Sequence, residues 1–237
     1  MDSCIDEALA AALDNPFWSA LATRHAGMAQ RVGDVACYPA DVAPFLGVAR
    51  VDADVDDALA SLVGRGEERL LLGVIPVLSS RWHVQHFRPL AQLVCETPVP
   101  VPDGPVVTEL GAPHRGDVLD LVGRVYPHYF RPRTMALGRY FGIYVDGRLA
   151  AMAGERLGTQ RAREISAVCS DPEFSGRGYA RRLLAMLAND HLARGWLPFL
   201  HVSQDNRRAL DLYRSIGWRV RCEIAFASLR RTDSEYP

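Results

Sequence analysis

Apolar residues recur along this chain at two different spacings, and the spacing distinguishes helices from strands. The helical period of about 3.6 residues marks five segments, at residues 3–13, 55–63, 118–125, 178–194 and 206–216. Glycine at 195 and 217 follows the last two of them, as is typical at helix C-termini. We therefore predict helices at these five positions.

The remaining apolar segments have the lengths and patterns of strands. Asp146-Gly147 divides an apolar stretch at 140–156 and predicts a hairpin. Other predicted strands are the short or alternating apolar runs at residues 70–77, 164–169, 198–202 and 218–226. A helix connects strand 164–169 to strand 198–202, so these two should be parallel, with a right-handed crossover. The predicted fold class is α+β, with a mixed, mostly antiparallel sheet flanked by helices.

Charge is distributed unevenly between the two halves of the chain. Residues 1–104 contain 7 Arg against 14 acidic residues, a net charge of −7, whereas residues 105–237 contain 20 Arg against 14, a net charge of +6. The proline-rich stretch 97–105 separates them. We predict an N-terminal lobe, 1–104, and a catalytic domain, 105–237. A basic domain suits a polyanionic ligand, either a nucleotide or a nucleic acid.

Composition excludes several classes of function. The chain contains no lysine, which rules out a Schiff base and a Walker A phosphate site. Five scattered cysteines and an isolated His83–His86 pair predict neither a disulfide framework nor a metal site. No segment has the length of a membrane helix, and the N-terminal residues lack a basic signal sequence, so we expect a cytoplasmic protein that does not bind membranes.

The clearest chemical signal lies at residues 169–184, CSDPEFSGRGYARRLL, where a predicted strand leads into a helix. Gly176 and Gly178 allow the backbone to approach a ligand closely, and the free N–H groups of the helix start favour phosphate. A dinucleotide-binding loop needs a third glycine, whose place Arg181 takes. The loop therefore predicts a phosphate-bearing ligand of another kind.

A second motif follows the strand at 198–202. Asn206, Ala209, Tyr213, Gly217 and Trp218 form the pattern N-x-x-A-x-x-x-Y-x-x-x-GW. Together with the SGRGYA loop, it resembles the GNAT superfamily of acyl-CoA-dependent N-acyltransferases, and most closely the glycine N-acyltransferase-like branch. The resemblance covers about residues 106–228, and it implies that the first half is a degenerate copy of the same fold.

The resemblance implies a binding site for acetyl-CoA, without a metal. Main-chain groups of Val168, Cys169 and Ser170 would pair with the pantetheine arm and polarise the thioester carbonyl. Asn206 would bond to the pantetheine amide region. The pyrophosphate would be wrapped by Ser175, Gly176, Arg177, Gly178, Tyr179, Ala180 and Arg181. Ser175 departs from the family, which usually has Gln or Arg there, so phosphate affinity could be weaker, or Arg177 and Arg181 could compensate.

Tyr213 would also protonate the departing CoA thiolate as a general acid. The incoming amine must lose a proton before attack, and Glu164 is the first candidate for the base, with Glu155 and His201 as alternatives. Cys169 could in principle form an acyl-enzyme, but the sequence indicates no base beside it. We therefore favour direct attack of the amine on the thioester in a ternary complex.

The acceptor remains the least defined partner. Residues 126–140 and the acidic first half should line its site, and Arg131 and Arg133 suggest a small amine that bears a carboxylate, such as an amino acid. A homodimer is compatible with this reading. Two alternatives stay open: a non-catalytic acyl-CoA-binding sensor or regulatory protein, and a nucleic-acid-binding module, against which the scattered arginines and the lack of a nucleic-acid motif argue.

Overall fold

The computed structural model describes residues 5–125 and 129–232 of the chain. Its α-helices are α1 (Glu7–Asp14), α2 (Pro16–Ala22), α3 (Asp56–Leu62), α4 (Arg115–Val125), α5 (Tyr179–Ala193) and α6 (Arg207–Ser215). The first-half strands are β1 (Gln30–Val32), β2 (Val35–Cys37), β3 (Leu46–Val48), β4 (Glu68–Leu72), β5 (Trp82–His86) and β6 (Leu90–Val94). The others are β7 (Val107–Leu110), β8 (Tyr140–Val145), β9 (Arg148–Gly158), β10 (Ala162–Ser170), β11 (Leu197–Ser203), β12 (Arg219–Ile224) and β13 (Phe226–Arg231).

A seven-stranded sheet with the order β12-β6-β11-β10-β9-β8-β7 forms the centre of the fold. Only its β10–β11 pair is parallel, as the connecting helix α5 requires. Two smaller sheets have the orders β1-β2-β3 and β4-β13-β5. The predicted α+β class, with a mostly antiparallel sheet flanked by helices, is confirmed.

The two halves of the chain exchange strands. Strand β6, from the first half, lies in the large sheet between β11 and β12 and is antiparallel to both. Strand β13, from the end of the chain, lies between β4 and β5 in a sheet of the first half. The division at residue 104/105 remains a prediction, and it separates two segments that share these sheets.

Several elements follow the sequence pattern closely. Helices α5 and α6 lie within the predicted segments, and the left-handed glycines Gly195 (φ 73°) and Gly217 (φ 97°) follow them. Asp146 and Gly147, both at positive φ, form the turn of the β8–β9 hairpin.

Two predicted strands have different bounds in the structure. The strand predicted at 70–77 is β4, which ends at Leu72, because Gly73 is left-handed (φ 91°) and lies against the Asp14 carbonyl. The strand predicted at 218–226 is interrupted at Ala225, where the chain leaves the large sheet and enters the smaller one as β13.

The large sheet is covered on both faces. On one, which we call the α5 face, Leu183, Leu187 and other residues of α5 and α6 pack against β10 and β11. On the other face, which we call the α1 face, α1 and α2 pack against the sheet, and Phe17 of α2 and Phe199 of β11 belong to the same apolar cluster. No helix in the described part of the chain is long and apolar enough to span a membrane. Side chains that alternate along β10 and β11 therefore reach two different environments.

Candidate active site

An opening between β10 and β11 is the central feature of the candidate site. The two strands pair only from Ala162 to Glu164, opposite Leu197 to Phe199. From Phe199 onward β11 pairs with β6 on its other side, while β10 continues to Ser170 along β9. The edge of β10 that faces β11 is thus left without a strand partner beyond Glu164 in the described sheet. An extended ligand can bind there as an additional strand.

A bulge shapes this edge. The β9–β10 register shifts between Ser166 and Cys169, and Ala167 has a left-handed backbone (φ 52°), which costs a non-glycine residue about 1–2 kcal/mol. Ile165 packs on the α5 face, yet Cys169, four residues later, packs on the opposite face among residues of α4. The extra residue therefore re-aims the backbone of Val168, Cys169 and Ser170, which are the predicted pantetheine contacts.

The phosphate loop follows directly from β10. Gly176 (φ 80°) and Gly178 (φ 79°) are both left-handed and exposed, with no atom within 4 Å of where a Cβ would be. Gly178 is the N-cap of α5, and no side chain caps this helix. Ser175 is therefore not the cap. The first N–H groups of α5 and the positive end of its dipole face an open space that an anion can enter.

The other predicted loop residues surround the start of α5. Tyr179 and Ala180 are half-buried in its first turn, and Arg181 is exposed. The Arg177 guanidinium lies 5.2 Å from the centre of the Phe174 ring. The Ser175 hydroxyl accepts a hydrogen bond from Nη2 of Arg208 on α6 (2.8 Å). The loop therefore contacts α6.

Asn206 and Tyr213 occupy the two ends of α6. The Asn206 side chain caps the helix by accepting from the Ala209 N–H (3.1 Å). Tyr213 is 8% exposed and belongs to the same apolar cluster as Ile165 and Val202, whose strands flank the opening. The predicted proton donor therefore lies on the α5 face of the sheet, in the same apolar cluster as residues of the two strands that flank the opening.

Glu164, the predicted base, lies on the α1 face at the residue where β10 and β11 separate. Its carboxylate is fully buried and accepts hydrogen bonds from Arg156 (2.6 and 2.8 Å) and from His201 Nδ1 (2.7 Å). Burial alone would raise the pKa of Glu164, but the charge and hydrogen bonds of Arg156, together with His201, lower it to about 2. Glu164 is therefore an anion throughout the neutral range.

The two alternative bases are also buried and hydrogen-bonded. His201 Nε2 lies 2.9 Å from the Gln92 amide nitrogen, which leaves Nδ1 as the proton-bearing atom toward Glu164. Burial alone would raise the pKa of Glu155, but hydrogen bonds from its partners hold this pKa well below its usual range. These partners are His191 (3.1 Å), Arg24 (2.7 Å) and Arg139 (2.6 Å).

Cys169 has the environment of an inert thiol. It is buried, and burial raises the pKa of its thiol to about 12, so the nucleophilic thiolate is scarce at neutral pH. We expect Cys169→Ala to keep turnover within about threefold of wild type, because only the main chain of residue 169 is proposed to contact the ligand. Steady-state turnover checks this, with Cys95→Ala as the control for loss of a buried thiol elsewhere. A loss of a hundredfold or more confined to Cys169→Ala would indicate an acyl-enzyme.

A cavity of about 420 Å³ is lined in part by Tyr129 and Arg131, from the segment predicted to line the acceptor site. Both halves of the chain line it, through Ala40, Pro44, Glu67, Glu68, Arg69, Leu70, Tyr129 and Arg131. Arg131 makes no ion pair with the described residues, whereas Arg133 pairs with Asp41 (3.1 Å). Of the predicted acceptor segment 126–140, residues 126–128 lie outside the described residues.

Sequence reasoning missed the polar partners of the site. Arg156, Gln92 and Arg208 come from β9, β6 and α6, and only the folded chain brings them to Glu164, His201 and Ser175. The sequence offered one signal, the Arg207-Arg208 pair directly after Asn206. Gln92 offered none, since it lies in an otherwise apolar strand.

Comparison with known proteins defines the class of this fold. Residues 140–227 match the family described as FR47-like protein. The N-alpha-acetyltransferase RimI of Mycobacterium tuberculosis is 41% identical over 83 residues, which are 34% of this chain and 51% of that protein, about half its length. A GCN5-related N-acetyltransferase from Kribbella flavida shares the fold, with a TM-score of 0.60 at 17% identity over 93% of this chain and 95% of that one.

A fourth likeness extends over almost the whole molecule. A solved member of the GNAT family from Novosphingobium aromaticivorans is 32% identical, with a TM-score of 0.82, over 93% of this chain and 98% of that chain. The chain belongs to the GNAT family of acyl-CoA-dependent acetyltransferases, whose co-substrate is acetyl-CoA.

Proposed function

We propose that this protein transfers the acetyl, or another short acyl, group of an acyl-CoA to the primary amine of a small molecule that bears a carboxylate. The observation that carries the proposal is the opening between β10 and β11, which leads to the glycine-flanked start of α5. A strand-like pantetheine arm and a diphosphate fit these two neighbouring features.

Three parts of the site would contact the acyl-CoA. Main-chain groups of Val168, Cys169 and Ser170 would hold the pantetheine and polarise the thioester carbonyl. The segment 175–181 would bind the diphosphate through the first amides of α5. Asn206, whose oxygen is used by the cap, would still offer its amide N–H groups to the pantetheine.

The reaction would proceed by direct attack in a ternary complex. The amine nitrogen forms a bond to the thioester carbon, and the carbon–sulfur bond breaks. The Tyr213 hydroxyl would donate its proton to the departing thiolate, while the base takes the proton that the amine loses. Tyr213 and Glu164 lie on opposite faces of the sheet, so the leaving group and the amine would reach the thioester from opposite sides of the opening.

Glu164 stays our first candidate for the base, with Glu155 and His201 as the alternatives. A carboxylate of pKa about 2 is by itself a weak base near neutrality. The 2.7 Å hydrogen bond from His201 Nδ1 to Glu164 links two of the three candidates. We therefore propose Glu164 and His201 as one unit.

Acetyl-CoA turnover, read as free thiol across a library of amines, tests the proposal. We expect amino acids to be better acceptors than polyamines or peptides with free N-termini, and glycine to be an acceptor if the chain belongs to the glycine N-acyltransferase-like branch. Polyamines that exceed every amino acid would contradict the proposed acceptor class. Binding of acetyl-CoA without turnover of any amine would favour the sensor alternative instead.

Arg131 should recognise the acceptor carboxylate. It lines the cavity and has no ion-pair partner among the described residues, so its charge is available to a ligand. We expect Arg131→Ala to raise the KM for a carboxylate-bearing amine by about 10- to 100-fold, the effect of losing a charged hydrogen bond. Arg133→Ala is the matched control, since that guanidinium is paired with Asp41. An equal effect of both substitutions would refute specific recognition by Arg131.

A further inference from the structure

Arg208 lies where a bound acyl-CoA would place its phosphates. It is the second residue of α6, and its Nη2 donates to Ser175 Oγ (2.8 Å), in the loop that opens α5. Ser175 and Arg208 are 33 positions apart in the chain, and both are exposed. This contact brings a guanidinium from a different helix to the rim of the phosphate loop.

Basic residues outnumber acidic ones around this contact, where Asp205 and Asp211 are the nearest acids in α6 and before it. Arg177 and Arg181 lie in and just after the loop, and the first turn of α6 contains Arg207 and Arg208 but no acidic residue. A cation in the first turn is opposed by the helix dipole, whose positive end is there. Neither Arg181 nor Arg208 forms an ion pair with the described residues. An anion bound at this place would relieve the repulsion.

The free N–H donors at the loop are arranged in a way that suits a phosphate group. The first amides of α5 have no side-chain cap, and the two left-handed glycines leave open space beside them. A guanidinium has five N–H donors, and the contact with Ser175 uses one of them, on Nη2. The remaining donors of Arg208 are free to add a charge-assisted bond to the anion that the amides hold.

We propose that Arg208 binds the diphosphate of the acyl-CoA across the loop, with Ser175 as the residue that positions its guanidinium. This inference rests on the proposed function, because it assigns a residue to the acyl-CoA site. Arg208 would contribute equally before and during the reaction, since the diphosphate is remote from the thioester. Its loss should weaken binding of the acyl-CoA without slowing the chemical step.

Steady-state kinetics with Arg208→Ala tests the assignment, using acetyl-CoA and acetyl-3′-dephospho-CoA as substrates. We expect the KM for both to rise about 10- to 100-fold by the same factor, with kcat within about twofold of wild type. Arg207→Ala, one residue earlier on the same helix, is the matched control and should change KM by less than about threefold. Arg208→Lys keeps the charge but not the fork of donors, and should recover only part of the loss.

Three outcomes would overturn the assignment. An unchanged KM for Arg208→Ala would show that the residue does not contact the ligand. An effect limited to acetyl-CoA, absent with the dephospho substrate, would place Arg208 at the 3′-phosphate instead of the diphosphate. An equal effect of Arg207→Ala would show only a general positive field. A wild-type protein that gives no heat of binding with any acyl-CoA would instead overturn the proposed function itself.

Discussion

Replacement of Tyr213 by Phe should lower kcat by about 10²- to 10⁴-fold, the usual contribution of a general acid. The hydroxyl is the group proposed to protonate the CoA thiolate, and the ring packs with Trp218 in the apolar cluster beneath the opening. Because phenylalanine preserves this packing, we expect the affinity for acetyl-CoA to change little. Free-thiol turnover and calorimetric titration with acetyl-CoA measure the two quantities separately.

Tyr144→Phe is the matched control for the loss of a tyrosine hydroxyl. Its hydroxyl donates to Asp117 (2.7 Å) on α4, away from the opening, and turnover should stay near the wild-type value. A Tyr213→Phe variant with full turnover would show that another group or water protonates the thiolate. A variant that instead loses acetyl-CoA binding would assign Tyr213 to the binding site alone.

Replacement of Glu164 by Gln should destabilise the fold by about 3 kcal/mol or more. The substitution leaves the guanidinium of Arg156 without its carboxylate at a buried position, and breaking such a pair typically costs about 3–5 kcal/mol. Denaturant unfolding of the two proteins measures the difference. Glu173→Gln is the control, because Glu173 forms an exposed ion pair with Arg148 and should contribute less than about 1 kcal/mol.

The same substitution should change the pH dependence of stability. The pKa of Glu164 in the folded protein, about 2, lies below the ordinary value of 4.5, so its contribution is complete above about pH 4.5 and is lost as the pH falls toward 2. Glu164→Gln should therefore be less sensitive to acid than wild type over this range. An unfolding curve with the same acid slope in both proteins would argue against the low pKa.

Turnover of Glu164→Gln then bears on the base. If Glu164 and His201 act together, the variant should lose at least about tenfold in kcat under conditions where it is fully folded. Unchanged kcat in folded protein would leave Glu164 as a purely structural anion and direct attention to Glu155.

The elements of the second half could be predicted because local signals define them. Glycines end α5 and α6, Asp146-Gly147 sets the hairpin, and the helix between β10 and β11 requires a parallel pair. The outer strand at 218–226 was only partly predicted. Its alternation is continuous in sequence, and the change of sheet at Ala225 depends on pairing with the distant strand β4.

The candidate site was predictable to a smaller extent. The loop at 175–181 and the α6 motif are contiguous, so their glycines and Asn206 could be recognised directly. The ionisation state of Glu164 could not be predicted, because its pKa depends on Arg156 and on His201, which belong to other strands. Nothing in the local sequence indicates that Gln92, 109 positions from His201, completes this hydrogen-bonded chain.

The position of β6 joins the two halves of the chain in one sheet. A fragment that starts at residue 105 would lack the strand between β11 and β12, and both would expose their backbone edges to water or to other chains. Its last strand, β13, would lose both neighbours as well. During synthesis, β4, β5 and β6 therefore precede their partners β12 and β13 by more than 120 residues, and these pairs can form only after β12 and β13 have left the ribosome.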